Sequence, residues 1–110
     1  MAAAGVDVIV PHVGLTSGGT IGADDAMSLD EAARATQEMI DAARSVNAHV
    51  IALAHGGPME SPEDVRYVLE HTSAQGFVGA SSIERLPVET AIAGTVRAFK
   101  NIPLQNTRKI

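Results

Sequence analysis

Apolar and polar positions along this chain alternate between two periods. Residues 6–14, VDVIVPHVG, are a short β-branched run ending in glycine, the pattern of a buried strand with Pro11 near its exit. Residues 14–27, GLTSGGTIGADDAM, have no periodic apolar pattern and are rich in Gly, Ser and Thr. Their length exceeds the usual βα loop of about 2–6 residues, and loops that long are often functional. From Ser28 the period becomes helical: Leu29, Ala32, Ala33, Thr36, Met39, Ile40, Ala43 and Val46 share one face. Ser28 followed by Glu31 is a capping box, which satisfies backbone donors that a helix start leaves free. A helix is predicted from there to about Asn47.

The same rhythm repeats twice. HVIALAHGG, residues 49–57, is a second strand, stopped by paired glycines and Pro58. Ser61 is a helix cap, Pro62 suits the first helical position, and Asp64 completes a box; Val65, Val68 and Leu69 form the buried stripe. GFVGASS, residues 76–82, is a third strand, and Ser82 to Leu86 forms a separate short helical turn. PVETAIAGTVRAFKNI places Val88, Ala91, Ile92, Thr95, Val96 and Phe99 on one face of a last helix, and the tail after Pro103 is polar. Three strand-helix units predict an α/β fold: a parallel sheet with right-handed crossovers. The opening MAAAG reads as the last turn of a helix capped by Gly5. Three parallel strands leave two open edges and part of one face bare. Residues 1–110 are therefore expected to be one partial domain of a larger one. The alternative is a small open α/β module completed by oligomerisation.

Composition changes the picture in three ways. Aromatic residues make up only 3% of the chain, so the core must be aliphatic, as under parallel sheets. The net charge is −5 with no basic run, which argues against nucleic-acid binding. The chain has no cysteine, which excludes disulfides, thiolate catalysis and zinc-thiolate sites. No apolar run is long enough to span a bilayer, and no secretory leader pattern is visible, so a cytoplasmic location and no membrane partner are expected.

Candidate chemistry gathers where strands end. Glycines let backbone N–H groups approach an anion, so Gly56 and Gly57 after the second strand are phosphate-binding candidates, with Gly79, Ala80, Ser81 and Ser82 after the third. A helical turn from Ser82 to Arg85 would aim free N–H groups at the same spot, and Arg85 would add a charge. The plainer reading is a Gly-containing turn with a serine cap. His12 and His55 each sit at a strand's C-terminal end, the active face of parallel α/β folds, and suit proton transfer near neutral pH. Each is alternatively a structural ring hydrogen-bonded at the rim. His49 and His71 read as strand-start or surface residues. Thr16, Ser17, Gly18 and Gly19 form a candidate lid, with Gly18, Gly19 and Gly22 as hinges, or a surface loop that only packs. That loop lacks the Gly-Lys-Ser/Thr ending of a Walker A loop and the G-x-G-x-x-G spacing of a dinucleotide fold. GASSI lacks the second glycine of a nucleophile elbow, and no histidine follows Ser81, which argues against a hydrolase triad within this chain. Asp24, Asp25, Glu84 and the histidines have no metal-ligand spacing; no metal is predicted and no cofactor is specified.

The blocks DVIVPHVGLTSGG, AHGGPMESPEDVRYVLEHT and GFVGASSIERLPVETAI resemble the phosphoenolpyruvate hydrolase-like TIM-barrel family, whose barrel is of the indole-3-glycerol phosphate synthase type and recurs in the C-terminal part of Tm-1-like proteins. The resemblance covers nearly the whole chain. It implies that the three strands are the last of a (β/α)₈ barrel. It also implies that His12, Gly14 and Thr16, His55 to Pro58, Gly79 to Ser82, and Glu84 with Arg85 ring the active mouth. Glu84 thereby joins the two histidines as a catalytic candidate. The first five strands, and any catalytic residues on them, lie outside this stretch. The expected function is binding of a small phosphorylated or carboxylated metabolite, with hydrolase or lyase action on a phosphoenolpyruvate-like compound. The alternative is a non-catalytic barrel for sensing or protein interaction. The expected partner is a small anionic metabolite, and the expected assembly a homo-oligomer.

Overall fold

A computed structural model describes residues 1–15, 18–19 and 27–104. A 3-10 turn, Ala2–Ala4, leads into β1 (Val8–Ile9), α1 (Leu29–Val46), β2 (Ile51–Ala54), α2 (Pro62–Glu70), β3 (Gly76–Phe77), a single turn α3 (Ser81–Glu84) and α4 (Leu86–Lys100). The three strands are parallel and lie in the order β1-β2-β3. The α/β alternation expected from the sequence is therefore present.

The helix starts follow their caps. The Ser28 hydroxyl accepts from the Glu31 N–H, while the Glu31 carboxylate accepts from the Ser28 N–H at 2.9 Å. Ser61 and Asp64 repeat this at α2, with Pro62 in the first turn. Gly5 closes the opening turn in the left-handed region at φ 84°, a conformation glycine adopts without a Cβ clash.

The strands are shorter than the apolar runs that encode them, although the contacts between them extend further. Asp7 accepts from Ile51 N–H at 2.9 Å, and the pairing resumes as an isolated bridge between His12 and His55. Pro11 lies in the gap between them; it has no N–H to give a ladder. Beside β3, the N–H groups of Gln75 and Val78 donate to Ala52 and Ala54. The expected strand over residues 76–82 instead gives way to α3 from Ser81, one residue before the expected turn.

One face of the sheet is covered. Ala52 and Ala54 are fully buried, and Ala54 joins Val13, Ala32, Met59 and Val68 in one cluster, with Phe77 packed against it. Because α1 supplies Ala32 and α2 supplies Val68, both crossover helices lie on the same face. A polar clasp reinforces them: the Arg44 guanidinium donates to Ser73 Oγ at 2.7 Å and to Gln75 Oε1 at 3.1 Å. Gln75 Oε1 also accepts from the Ala52 N–H, fastening α1 to the sheet.

Two expected apolar faces are not covered as the periodicity implied. On α1, Ala32, Ala33, Thr36 and Ile40 are buried, but Met39 and Val46 are 37% and 60% exposed. These two border an apolar groove of about 640 Å³ beside β1, the edge strand. On α4 the stripe forms as a helix but stays open, with Ile92 60% and Phe99 70% exposed. A period of 3.6 records which face is apolar, not whether this stretch of chain supplies its cover.

Candidate functional site

The C-terminal ends of β1 and β2 bring His12 and His55 together. As partners across an isolated parallel bridge they project from the same side of the sheet. Their rings meet edge to face, 4.9 Å between centroids at 71°. The Val13 N–H donates to the His55 carbonyl at 3.2 Å, so the backbone holds the two strand ends in register.

Each ring is fixed by a backbone group at Nδ1. His12 Nδ1 accepts from the Gly14 N–H at 3.2 Å. His55 Nδ1 lies 2.7 Å from the Val78 carbonyl oxygen and must donate to it, since a carbonyl only accepts. The same bond ties the end of β2 to the residue following β3. Nε2 of both rings makes no hydrogen bond with a described residue.

The glycine turn after β2 is pressed against the turn after β1. Gly57 donates to the Gly14 carbonyl at 2.7 Å, so its N–H is engaged. At Gly56, φ is 85° and a Cβ would stand 2.5 Å from the Gly14 oxygen and 3.4 Å from His12 Cε1. Only glycine fits a backbone this close to the histidine ring at positive φ.

After β3 the chain turns through Gly79 and Ala80 into α3. No described residue accepts from the N–H groups of Gly79, Ala80, Ser81 or Ser82. A Cβ on Gly79 would meet the exposed Ile83 side chain, which would have to shift, and press on Phe77. Ser82 lines a cavity of about 320 Å³ with Glu60, Ser61, Pro62, Phe77 and Ile83. This cavity is smaller than the groove beside β1 and, like it, is walled mainly by apolar surface, but it adjoins the candidate turn.

Arg85 is not a free cation. Its guanidinium donates to Glu89 at 3.0 Å and to the Gly18 carbonyl at 2.9 Å. The pair is about three-quarters buried, so Arg85 anchors the Gly18–Gly19 stretch and shares its charge with Glu89. Glu84 is exposed, and its carboxylate bonds no described residue. Thr16, Ser17, Gly22, Asp24 and Asp25 lie outside the described residues. Among the described residues, no group of three or more His, Asp or Glu side chains converges as metal ligands would. No described helix is long and apolar enough to cross a membrane.

Sequence reasoning missed three partners. The Gly14 N–H and the Val78 carbonyl fix the rings, and no side-chain identity advertises a backbone group. Glu89 was within reach: Arg and Glu four apart on one helix are neighbours. His71, read as a surface residue, is exposed; it stacks on Tyr67 and its Nδ1 contacts the Tyr67 carbonyl oxygen at the end of α2.

The chain is similar to two tomato (Solanum lycopersicum) proteins, the ToMV susceptible protein tm-1(GCR26) and the ToMV resistance protein Tm-1(GCR237). It is 51% and 50% identical to them over 106 residues, 96% of this chain but 14% of either relative. It is also 33% identical, over 92% of its length and 17% of the relative's, to a candidate transcriptional regulatory protein, y4pA, of Sinorhizobium fredii. The chain thus spans about a seventh of the length of the tomato proteins it matches. The sequence profile of one family, described as phosphoenolpyruvate hydrolase-like, runs across residues 1–102, through all three strand ends that carry the histidines and glycine turns. With nearly the whole chain inside that profile, the protein belongs to the phosphoenolpyruvate hydrolase-like family.

Proposed function

We propose that this chain forms the ligand-binding mouth of a (β/α)₈ barrel that binds a small phosphorylated or carboxylated metabolite and acts on it by hydrolase or lyase chemistry. The observation that carries the reading is the His12–His55 pair, 4.9 Å apart at the ends of adjacent parallel strands. In parallel α/β barrels the reacting groups stand at that end of the strands. Sequential strand order with both crossover helices on one face supports a barrel; doubly wound sheets carry helices on both faces.

In this reading Gly79, Ala80, Ser81 and Ser82 receive the anion through N–H groups that no described residue uses. Gly56 and Gly57 let the ligand approach the backbone, Gly57 by shaping the turn rather than by its engaged N–H. Arg85 acts from behind the site by holding the Gly18–Gly19 stretch in place. His12 and His55 serve as proton-transfer or substrate-orienting groups, with Glu84 on α3 as a third catalytic candidate. The substrate follows from the family name: phosphoenolpyruvate or a close analogue.

The test is turnover of phosphoenolpyruvate by the full-length protein, followed by pyruvate and phosphate release. His12→Asn and His55→Asn are the informative variants. In each, the asparagine amide replaces Nδ1 at the backbone bond and deletes Nε2. Loss of a positioned proton-transfer group lowers the rate by roughly 10²–10⁴-fold. Undiminished turnover in both variants contradicts the catalytic role. A second reading, a non-catalytic sensing or interaction module, is favoured by the names of the relatives, which speak of virus resistance and of regulation rather than of a reaction. Absence of any turnover by the wild-type protein supports it.

A further inference from the structure

The two rings are chemically identical as free side chains, yet the backbone treats them in opposite ways. At His12 the group facing Nδ1 is an N–H, from Gly14 at 3.2 Å. An N–H only donates, so Nδ1 carries the lone pair and the neutral ring holds its proton on Nε2. At His55 the group facing Nδ1 is the Val78 carbonyl oxygen at 2.7 Å. A carbonyl only accepts, so Nδ1 carries the proton and Nε2 is bare. Both anchors are main-chain groups, set by the strand ends and by the Gly14 turn, and neither can rotate to suit the other tautomer. Gly14 has φ 100° and gives its carbonyl, in the next peptide unit, to Gly57, which ties down the residue that carries the donor.

We infer that His12 and His55 are locked in opposite neutral tautomers and present one N–H donor and one lone pair to the same ligand. The inference rests on the reading that both rings face one ligand, and it specifies what that ligand must offer. Opposite His12 Nε2–H stands an acceptor oxygen: a carboxylate, an enolate or a carbonyl. Opposite His55 Nε2 stands an O–H group, from water or from the ligand. The pair is thus not two interchangeable bases. His55 takes a proton: the O–H bond breaks, an N–H bond forms on Nε2, the freed pair makes that oxygen's new bond to the attacked atom as the bond to the departing group breaks with its pair, and the imidazolium returns the proton to the departing group. His12 keeps its proton. Giving it up from the neutral ring would leave an imidazolate, so His12 acts as an electrophile that polarises the acceptor oxygen. A neutral histidine is known to serve this way in other barrels. Substrates that fit carry a carboxylate or enolisable carbonyl beside the position attacked by the oxygen that His55 deprotonates.

The experiment is nitrogen NMR of the full-length protein labelled with ¹⁵N-histidine, at a pH where both rings are neutral. His12→Asn and His55→Asn assign the two spin systems, since each keeps the backbone bond it replaces. The expected result is a protonated Nε2 and bare Nδ1 at His12, and the reverse at His55. The same tautomer on both rings, or rapid averaging between tautomers at either one, overturns the inference. Addition of phosphoenolpyruvate then separates this inference from the functional reading on which it rests. Shifts at Nε2 of both rings support the two together. Opposite tautomers with no response to phosphoenolpyruvate uphold the lock and count against phosphoenolpyruvate as the ligand. A response with matching tautomers upholds the ligand and overturns the lock.

Discussion

Gly56 has no room for a side chain. Its φ of 85° lies in the left-handed region, and a Cβ would stand 2.5 Å from the Gly14 carbonyl oxygen. Gly56→Ala is expected to lower stability by about 1–3 kcal/mol, the scale of a non-glycine residue forced into such a conformation against backbone. The midpoint of denaturant unfolding measures it, and an unchanged midpoint contradicts the packing described here. Thr36 offers the opposite case. It is fully buried on α1, and its hydroxyl has no partner among the described residues. A buried hydroxyl left unpaired costs about 1–3 kcal/mol, whereas an apolar group of the same shape costs nothing of the kind. Thr36→Val should therefore raise the unfolding temperature, and a fall would mean that Thr36 has a partner in the full-length protein.

Helices and strands differed in how fully the sequence described them. The capping boxes at Ser28 and Ser61 fix helix starts to the residue because the signal is local: one hydroxyl and one carboxylate three positions apart. Strand lengths were less legible. Pro11 shortened β1 and the early turn at Ser81 shortened β3, since pairing depends on a neighbour distant in the chain. The stripe on α4 was read correctly as a helix, but exposure of Ile92 and Phe99 is decided by what lies beside it. At the site, the strand-end positions of His12 and His55 were visible, while Gly14 N–H and Val78 C=O were not, because backbone groups have no sequence signature. The caps carry their own prediction. Hydrogen bonds from the Ser28 backbone and hydroxyl hold the Glu31 carboxyl below the ordinary carboxylate range. A depressed folded-state value stabilises α1 above the unfolded carboxyl's titration, and this contribution is lost as pH falls through the folded value. Glu31→Gln, which removes the titrating carboxyl, should therefore flatten the acid limb of the stability profile, and an identical acid limb would contradict the capping box. At α2, Ser61→Ala should cost about 1 kcal/mol.

At the scale of the whole molecule, the covered and uncovered surfaces separate cleanly. The helices α1 and α2 seal one face of the sheet, while Val8, Val10 and Ile51 remain more than two-fifths exposed. The two histidines, the glycine turns and α3 gather at the C-terminal end of that sheet. In a closed barrel this end is the mouth, so the fold and the site support each other. In the proposed function a small anionic metabolite sits there, between the histidine rings and the turn from Gly79 to Ser82. A crystal structure of the full-length protein soaked with phosphoenolpyruvate tests it most directly. The account predicts ligand density within hydrogen-bond distance of His12 Nε2 and His55 Nε2, with the phosphoryl group against the backbone of Gly79 to Ser82. Density for the ligand at another place, with both rings left in contact only with solvent, would contradict it.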